Sequence, residues 1–368
     1  KKDRYDLNKS IIENICAPNN IDWQPIFYTK KPPIISTIWD IYQLNKKVKQ
    51  LHKKKQFSLI HCRSYITSLI GLGFKQKHSV KFIFDMRGFW ADERIDGNIW
   101  DTSKSHYKIV YNYFKKKEKL FLSESDAVVS LTNNGKKEML SWNIDKLPSK
   151  KISVIPCVAD YNHFNITTGD IKKEVRNSLR ITPSTKVISY IGSLGTWYLA
   201  DEMMAFYKQF QIEHPDSIFL ILTPEPPEII YQLATKQGID KKNFIIKFSS
   251  REELPQIASI SDFSIFFIKD AYSKKSSSPT KMGELLSMGI PIVCNNIGDV
   301  KEIVEKTSTG FCIDQLNTDS YKEVIKNLNK LYIKSPNDIR KDSKEYFLLE
   351  NGLKSYLTIY QTVLNNGK

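Results

Sequence analysis

Short apolar runs, each followed by a longer segment with helical spacing, recur along this chain, and that alternation narrows its fold more than any other feature. In the first half the strand candidates are Trp23–Thr29, Ser58–Cys62, Val80–Asp85, Ala127–Leu131 and Ile152–Pro156, with helices expected around Ile38–Lys55, Ser103–Ser123 and Asn134–Trp142. In the second half they are Val187–Gly192, Ile218–Thr223, Phe244–Phe248, Phe263–Ile268, Ile290–Asn295 and Gly310–Ile313, again separated by helices. Strands that are apolar nearly end to end belong in parallel sheets covered by helices on both faces. The fold class is therefore α/β, with doubly wound sheets. A chain of 368 residues, 41% of them hydrophobic, is long enough for two such domains, each with its own core. The polar stretch Asp160–Gly169 interrupts the alternation between two complete α/β patterns. The expected division is thus a first Rossmann-like domain at 1–160, a linker at 161–169, a second at 170–345 and a closing segment at 346–368. Two such domains face each other across a cleft, at the C-terminal ends of both sheets, where sheets of this kind bind ligands.

Composition removes several function classes. No apolar run approaches the roughly 18–20 residues of a membrane span, and the opening Lys1-Lys-Asp-Arg-Tyr-Asp6 lacks the apolar core of a secretory signal. The chain is expected to be soluble. Cys16, Cys62, Cys157, Cys294 and Cys312 are scattered, odd in number and mostly set in strand-like runs, as reduced core thiols of a cytoplasmic protein are. Neither a disulfide framework nor a metal site is expected. The formal net charge of +15 comes overwhelmingly from lysine, without the arginine forks and interleaved aromatics of nucleic-acid readers, so no nucleic-acid partner is expected. The clusters Lys46–Lys55 and Lys115–Lys119 have two readings: solvated helix faces, or a contact with an anionic membrane surface that would make the protein peripheral at its inner face.

The segment from Tyr272 to Val293 carries the most chemistry. It reads as a hydroxyl-rich loop, a helix start and a buried strand in succession. Ser278 can cap, Pro279 fits the first helical turn, and the free amides near Thr280 and Lys281 would face an anion in the loop. A diphosphate fits such a place. Glu284, about one turn further on, could accept from both ribose hydroxyls. An ordinary helix cap with a solvent-facing Lys281 fits the same spacing. Upstream, Gly192 and Gly195 in Gly192-Ser-Leu-Gly-Thr196 would let backbone approach phosphate closely. Arg63, Arg87, Ser193 and the loop before Pro279 each follow an expected strand.

The run Ser277-Ser-Pro-Thr-Lys-Met-Gly-Glu-Leu285 resembles the donor-binding signature of family 4 retaining glycosyltransferases, in a branch that carries Ser-Ser-Pro-Thr-Lys-x-Gly-Glu. His61-Cys-Arg-Ser-Tyr65, Asp85-Met-Arg-Gly-Phe-Trp-Ala-Asp-Glu-Arg94 and Tyr190-Ile-Gly-Ser-Leu-Gly-Thr-Trp-Tyr198 resemble three further motifs of that branch, in its order, so the resemblance spans roughly Trp23 to Ile313. It implies the two-domain GT-B fold, with the last helix crossing back to the first domain. It also implies transfer of a sugar from a UDP- or GDP-sugar to a glycan or lipid-linked glycan in surface polysaccharide biosynthesis. The nucleoside diphosphate sugar is then a substrate; no cofactor is expected, and no Asp-x-Asp pair is present to hold a metal. Carried onto this sequence, the donor would meet Gly192, Ser193, Gly195, Thr196, Phe248, Arg251, Ser278, Pro279, Thr280, Lys281 and Glu284. The reaction would rest on Arg87, Lys281 and Glu284, and the acceptor would meet Arg63, Tyr65, Trp90, Asp92 and Glu93.

Some of these residues have structural readings beside the functional ones. Arg63 could pair with Asp85 or Glu93, Asp92 and Glu93 could be merely solvated, and Trp197 and Tyr198 could line the sugar pocket or pack beneath it. The chain also departs from the family. Ser276 stands where many relatives begin a Glu-x7-Glu pair ending at the equivalent of Glu284, and Ser193 stands where many carry an arginine. Lys274, Lys275 or Arg87 are the candidates to compensate. With no apolar strand before Trp23, the first strands of the first domain are expected to be missing. Two rival functions remain on the same fold: a nucleotide-sugar epimerase, and a scaffold that binds the nucleotide sugar without transfer.

Overall fold

The computed structural model describes residues 2–29 and 31–365. Its first half runs α1 (Lys2–Cys16), α2 (Ile35–Lys55), β1 (Leu59–Arg63), α3 (Ser64–His78), β2 (Lys81–Asp85), α4 (Trp90–Asp96), α5 (Ser105–Glu124), β3 (Ala127–Ser130), α6 (Asn133–Ser141) and β4 (Ile152–Val154). The second half runs α7 (Gly169–Ser178), β5 (Val187–Ile191), α8 (Ala200–Glu213), β6 (Ile218–Leu222), α9 (Pro227–Lys236), β7 (Phe244–Lys247), α10 (Leu254–Ala258), β8 (Phe263–Phe266), α11 (Thr280–Ser287), β9 (Ile292–Asn295), α12 (Val300–Thr307), β10 (Gly310–Ile313), α13 (Thr318–Lys326), α14 (Pro336–Phe347) and α15 (Leu349–Asn365). Two parallel sheets result, each between helices: a four-stranded one in the order β1-β2-β3-β4 and a six-stranded one in the order β10-β9-β8-β5-β6-β7. Continuous apolar strands explain this. Val187–Ile191 and Phe263–Phe266 are buried at every position, which requires a covering layer on both faces.

Ten of the expected strands form within a residue or two of their anticipated bounds. Trp23–Thr29 does not. It is irregular, with Phe27 and Tyr28 exposed, and among the described residues no strand pairs with it. Pro25 lacks the amide a ladder needs, and the stretch is tied to α2 by the Thr29 amide donating to Asp40 Oδ2 (2.9 Å).

The segment after β4 is polar in sequence but firmly held. Tyr161 and Phe164 are buried in the second core, and the Arg340 guanidinium donates to the carbonyls of Tyr161 (2.6 Å) and Phe164 (2.7 Å). Ala159 bridges in parallel to Leu348, where α14 ends. From there α15 lays Ile359 and Val363 against Ile83, Val129 and Ile155 of the first sheet.

Candidate functional site

In the second sheet the chain steps from β5 to β6 and β7 on one side and returns to β8, β9 and β10 on the other. The strand order therefore reverses between β5 and β8, and a crevice opens at their C-terminal ends. Gly192 lines it from the end of β5, with φ +113°, a value that favours glycine. A Cβ there would lie 3.3 Å from Lys281 Nζ. Lys281 belongs to α11 and is only 8% exposed, so the solvent-facing reading is excluded. Among the described residues its ammonium has no hydrogen-bond partner, and it rests 4.0 and 3.7 Å from the ring centroids of Tyr190 and Tyr198. Burial pulls its pKa down from 10.5 to about 7, against the opposing pull of Glu284.

Glu284 sits one turn along the same helix and is partly buried. Burial raises its pKa, while Arg251, Lys281 and His163 hold it down. Arg251 stacks on Phe164 (4.9 Å), and its carbonyl meets His163 Nε2 at 2.9 Å, so the segment between the sheets buttresses this end of the crevice. Ser193, Gly195 and Thr196 are exposed on the loop after β5, and the Ser193 carbonyl accepts from Tyr190 Oη (2.7 Å). Phe248 is exposed just beyond β7. Ser278 does not cap α11. Its Oγ accepts from the Cys157 amide (3.1 Å), Pro279 occupies the cap position, and the helix starts at exposed Thr280 with its first amides unpaired by any side-chain cap.

Across the cleft, Arg87 leaves β2 in the left-handed region, φ 59°, immediately before Gly88 at φ 119°. Its Nη2 lies 3.5 Å from Sγ of Cys157, the residue whose amide donates to Ser278 Oγ. Arg87 is thus tied to the start of α11 through Cys157.

The residues expected to meet an acceptor are mostly committed elsewhere. Tyr65 is fully buried among Phe84, Trp90, Phe114 and Phe121, with its hydroxyl donating to Glu118, so it is a core residue and not a cleft residue. Trp90 packs in the same cluster, edge-on to Trp100 and Phe114. Asp92 accepts from Tyr111 Oη (2.9 Å) and Lys115 Nζ (2.8 Å), which occupies its carboxylate and removes Lys115 from any surface cluster. Glu93 pairs with Lys274 (2.8 Å). Arg63 alone is exposed, and among the described residues it has no ion-pair partner, Asp85 and Glu93 included.

Of the substitute cations, the two lysines do not stay free. Lys274 is buried between Glu93 and the face of Trp197 (3.5 Å), and Lys275 pairs with Glu138 (2.8 Å). Ser276 is 2% exposed at the contact between the two halves of the chain: its Oγ accepts from the Phe89 amide (2.9 Å) and donates to the Ser273 carbonyl (3.0 Å). Gly135 packs closely against it, since a Cβ on Gly135 would lie 2.9 Å from the Ser276 Cβ. A cavity of about 290 Å³ lies nearby, lined by Thr132, Pro156, Ser278, Pro279, Met282 and Asp299 among others. Neither Lys281 nor Glu284 lines it.

Sequence reasoning missed Tyr190, Cys157 and His163. Tyr190 and Cys157 look like strand-core residues, and His163 lies in the segment between the sheets. None has a local signal that points to the cleft.

Two α/β domains, each built on a parallel sheet between helices, form the GT-B fold. The family described as Glycosyltransferase Family 4 matches residues 12–163, and the one described as Glycosyl transferases group 1 matches residues 171–346. The chain belongs to the family 4 glycosyltransferases, and the protein is a glycosyltransferase. It is 24% identical over 296 residues to the UDP-Gal:alpha-D-GlcNAc-diphosphoundecaprenol alpha-1,3-galactosyltransferase of Escherichia coli, covering 78% of this chain and 70% of that one. An uncharacterized glycosyltransferase of Methanocaldococcus jannaschii is 22% identical, covering 98% of this chain and 88% of that one. Among solved structures, sucrose-phosphate synthase of Thermosynechococcus elongatus superposes with a TM-score of 0.70 at 14% identity, covering 93% of this chain and 82% of that one. HepE of Anabaena in complex with UDP-glucose gives 0.67 at 13%, covering 95% and 88%.

Proposed function

We propose that this glycosyltransferase retains the anomeric configuration of its sugar, takes a UDP- or GDP-sugar as donor, and acts on a glycan or lipid-linked glycan in surface polysaccharide biosynthesis. One observation carries the reading: a buried ammonium with no hydrogen-bond partner among the described residues, held beside a positive-φ glycine near an uncapped helix start. A buried cation without a counter-ion is costly unless a ligand supplies the charge. A diphosphate does so, with its oxygens on Lys281 Nζ and the first amides of α11, close to the backbone of Gly192. Glu284 then accepts from the ribose hydroxyls, and Arg87 approaches the leaving phosphate from the opposite domain. As the bond from the anomeric carbon to the diphosphate breaks, the acceptor oxygen bonds to that carbon on the same face and its proton passes to the diphosphate. Positioned charges stabilise the leaving group, and no step requires a metal.

The acceptor class is supported by the lipid-linked substrate named for the Escherichia coli relative. A contact at the cytoplasmic membrane face is consistent with α2, whose exposed side runs from Trp39 and Tyr42 to Lys46, Lys49 and Lys53. Among the described residues no helix is long and apolar enough to cross a membrane.

Incubation with a panel of UDP- and GDP-hexoses, followed by product analysis, tests the reading. Free sugar plus nucleotide is the expected result. An isomerised sugar would establish the epimerase in its place, and binding without turnover of any donor the scaffold.

A further inference from the structure

What the Lys281 ammonium touches is aromatic. Among the described residues it has no hydrogen-bond partner, and Glu284, one turn along α11, acts on it through its field. Nζ lies 4.0 Å from the ring centroid of Tyr190 and 3.7 Å from that of Tyr198. The two rings stand at 69° to each other with centroids 5.8 Å apart, so they form a corner around it. A cation within about 6 Å of a ring centroid is drawn to the negative face of the ring, and more strongly where water is excluded. Neither tyrosine serves as an anion instead. Burial first pushes both hydroxyls above their ordinary range, followed by Tyr198 and Glu225 at Tyr190, and by Glu284 and Cys157 at Tyr198.

The corner is fixed by its surroundings. Tyr190 is fully buried, and its Oη donates to the Ser193 carbonyl (2.7 Å), which ties it to the loop that carries Gly192. Tyr198 is bridged to Ile268 beyond β8, flanked by the Lys269 amide on the Trp197 carbonyl and the Leu199 amide on the Phe267 carbonyl, both 2.9 Å. We propose that Tyr190 and Tyr198 are positioning residues for Lys281: their ring faces take the part of a counter-ion and hold the ammonium at the Gly192 turn. The consequence for binding rests on the reading given above, in which Lys281 meets the diphosphate.

The charge on this amine is read by nuclear magnetic resonance titration of the full chain carrying lysine labelled with carbon-13 at Cε, the Lys281 signal being assigned by its loss in Lys281→Arg. Tyr198→Phe keeps the ring and should leave the pKa of Lys281 unchanged. Trifluorophenylalanine at the same position keeps the shape and drains the ring face of electrons, and should lower that pKa by about one unit. An unmoved pKa with the fluorinated ring, or an equal fall in Tyr198→Phe, would overturn the proposal. Calorimetric affinity for UDP and for GDP is measured on the same proteins at about pH 5.5 and about pH 8.5. The fluorinated ring should weaken binding by about tenfold at the higher pH, where the free amine must take up a proton, and little at the lower, where it is already charged. Damaged packing would weaken binding at both, and with an unmoved pKa would overturn the proposal. A lowered pKa with affinity unchanged at both would leave the aromatic corner standing and remove Lys281 from the diphosphate site.

Discussion

At the scale of single residues, Lys281 determines how this site responds to pH. Its pKa in the folded protein, about 7, lies below the unfolded value near 10.5, because burial penalises the ammonium. The neutral amine therefore favours the fold, and this contribution, present at high pH, is lost as pH falls through about 7. A bound diphosphate reverses the preference by supplying the counter-charge. Binding of UDP or GDP at pH 8 is accordingly expected to take up about one proton per site, read as a dependence of the calorimetric enthalpy on buffer ionisation heat. A buffer-independent enthalpy would mean that Lys281 does not meet the phosphates. Glu284→Ala should weaken nucleoside diphosphate binding by about 1–3 kcal/mol, the cost of removing a charged hydrogen-bond acceptor. Unchanged affinity would return Glu284 to a packing role.

At the scale of elements, the loop that carries Arg87 is steadied by a buried charge network between α4 and α5. Lys115 bridges Asp92 and Glu118, and Tyr65 donates to Glu118 from beneath. Lys115→Ala leaves two carboxylates without their cation and should destabilise the fold by about 3 kcal/mol in urea unfolding, as breaking a buried pair does. A loss within experimental error would show that water replaces the ammonium. On α2, neutralising Lys53, Lys54 and Lys55 should reduce flotation with anionic liposomes, because each lysine near such a surface contributes about 1 kcal/mol. Absence of flotation by the wild type at low salt would make these lysines a solvated face.

The strands were legible in the sequence because continuous apolar runs are local signals. Most of the residues expected to meet an acceptor are engaged within the fold, for a physical reason. Asp92 and Glu93 look like loop acids, but their partners Tyr111, Lys115 and Lys274 are 19, 23 and 181 residues away along the chain. Tyr65 likewise looks like part of a motif, and only the packing of α3 against α5 shows it to be core. Trp23–Thr29 has the composition of a strand but pairs with none among the described residues.

At the scale of the whole molecule, the two halves meet through polar contacts centred on the turn Tyr272–Ser276. Ser276 takes the Phe89 amide, Lys274 takes Glu93, and the Asp299 carboxylate accepts from the amides of Asn133 (2.5 Å) and Asn134 (2.9 Å) at the start of α6. The position where many relatives have a glutamate is here part of the seam between domains. Ser276→Glu should place a charge in that seam and lower stability by at least about 2 kcal/mol, with a larger radius of gyration in solution scattering. A compact variant of wild-type stability would show that the cleft has room for the acid. The central claim, that Lys281 and the start of α11 grip the diphosphate of a donor whose sugar is transferred with retention, is tested most directly by proton NMR of the anomeric signal while the enzyme hydrolyses the UDP- or GDP-α-hexose it accepts, run beside Lys281→Ala. The account predicts that α-hexose appears before its β anomer and that the variant loses both hydrolysis and nucleotide affinity; β-hexose appearing first, or a variant that hydrolyses the donor as the wild type does, would contradict it.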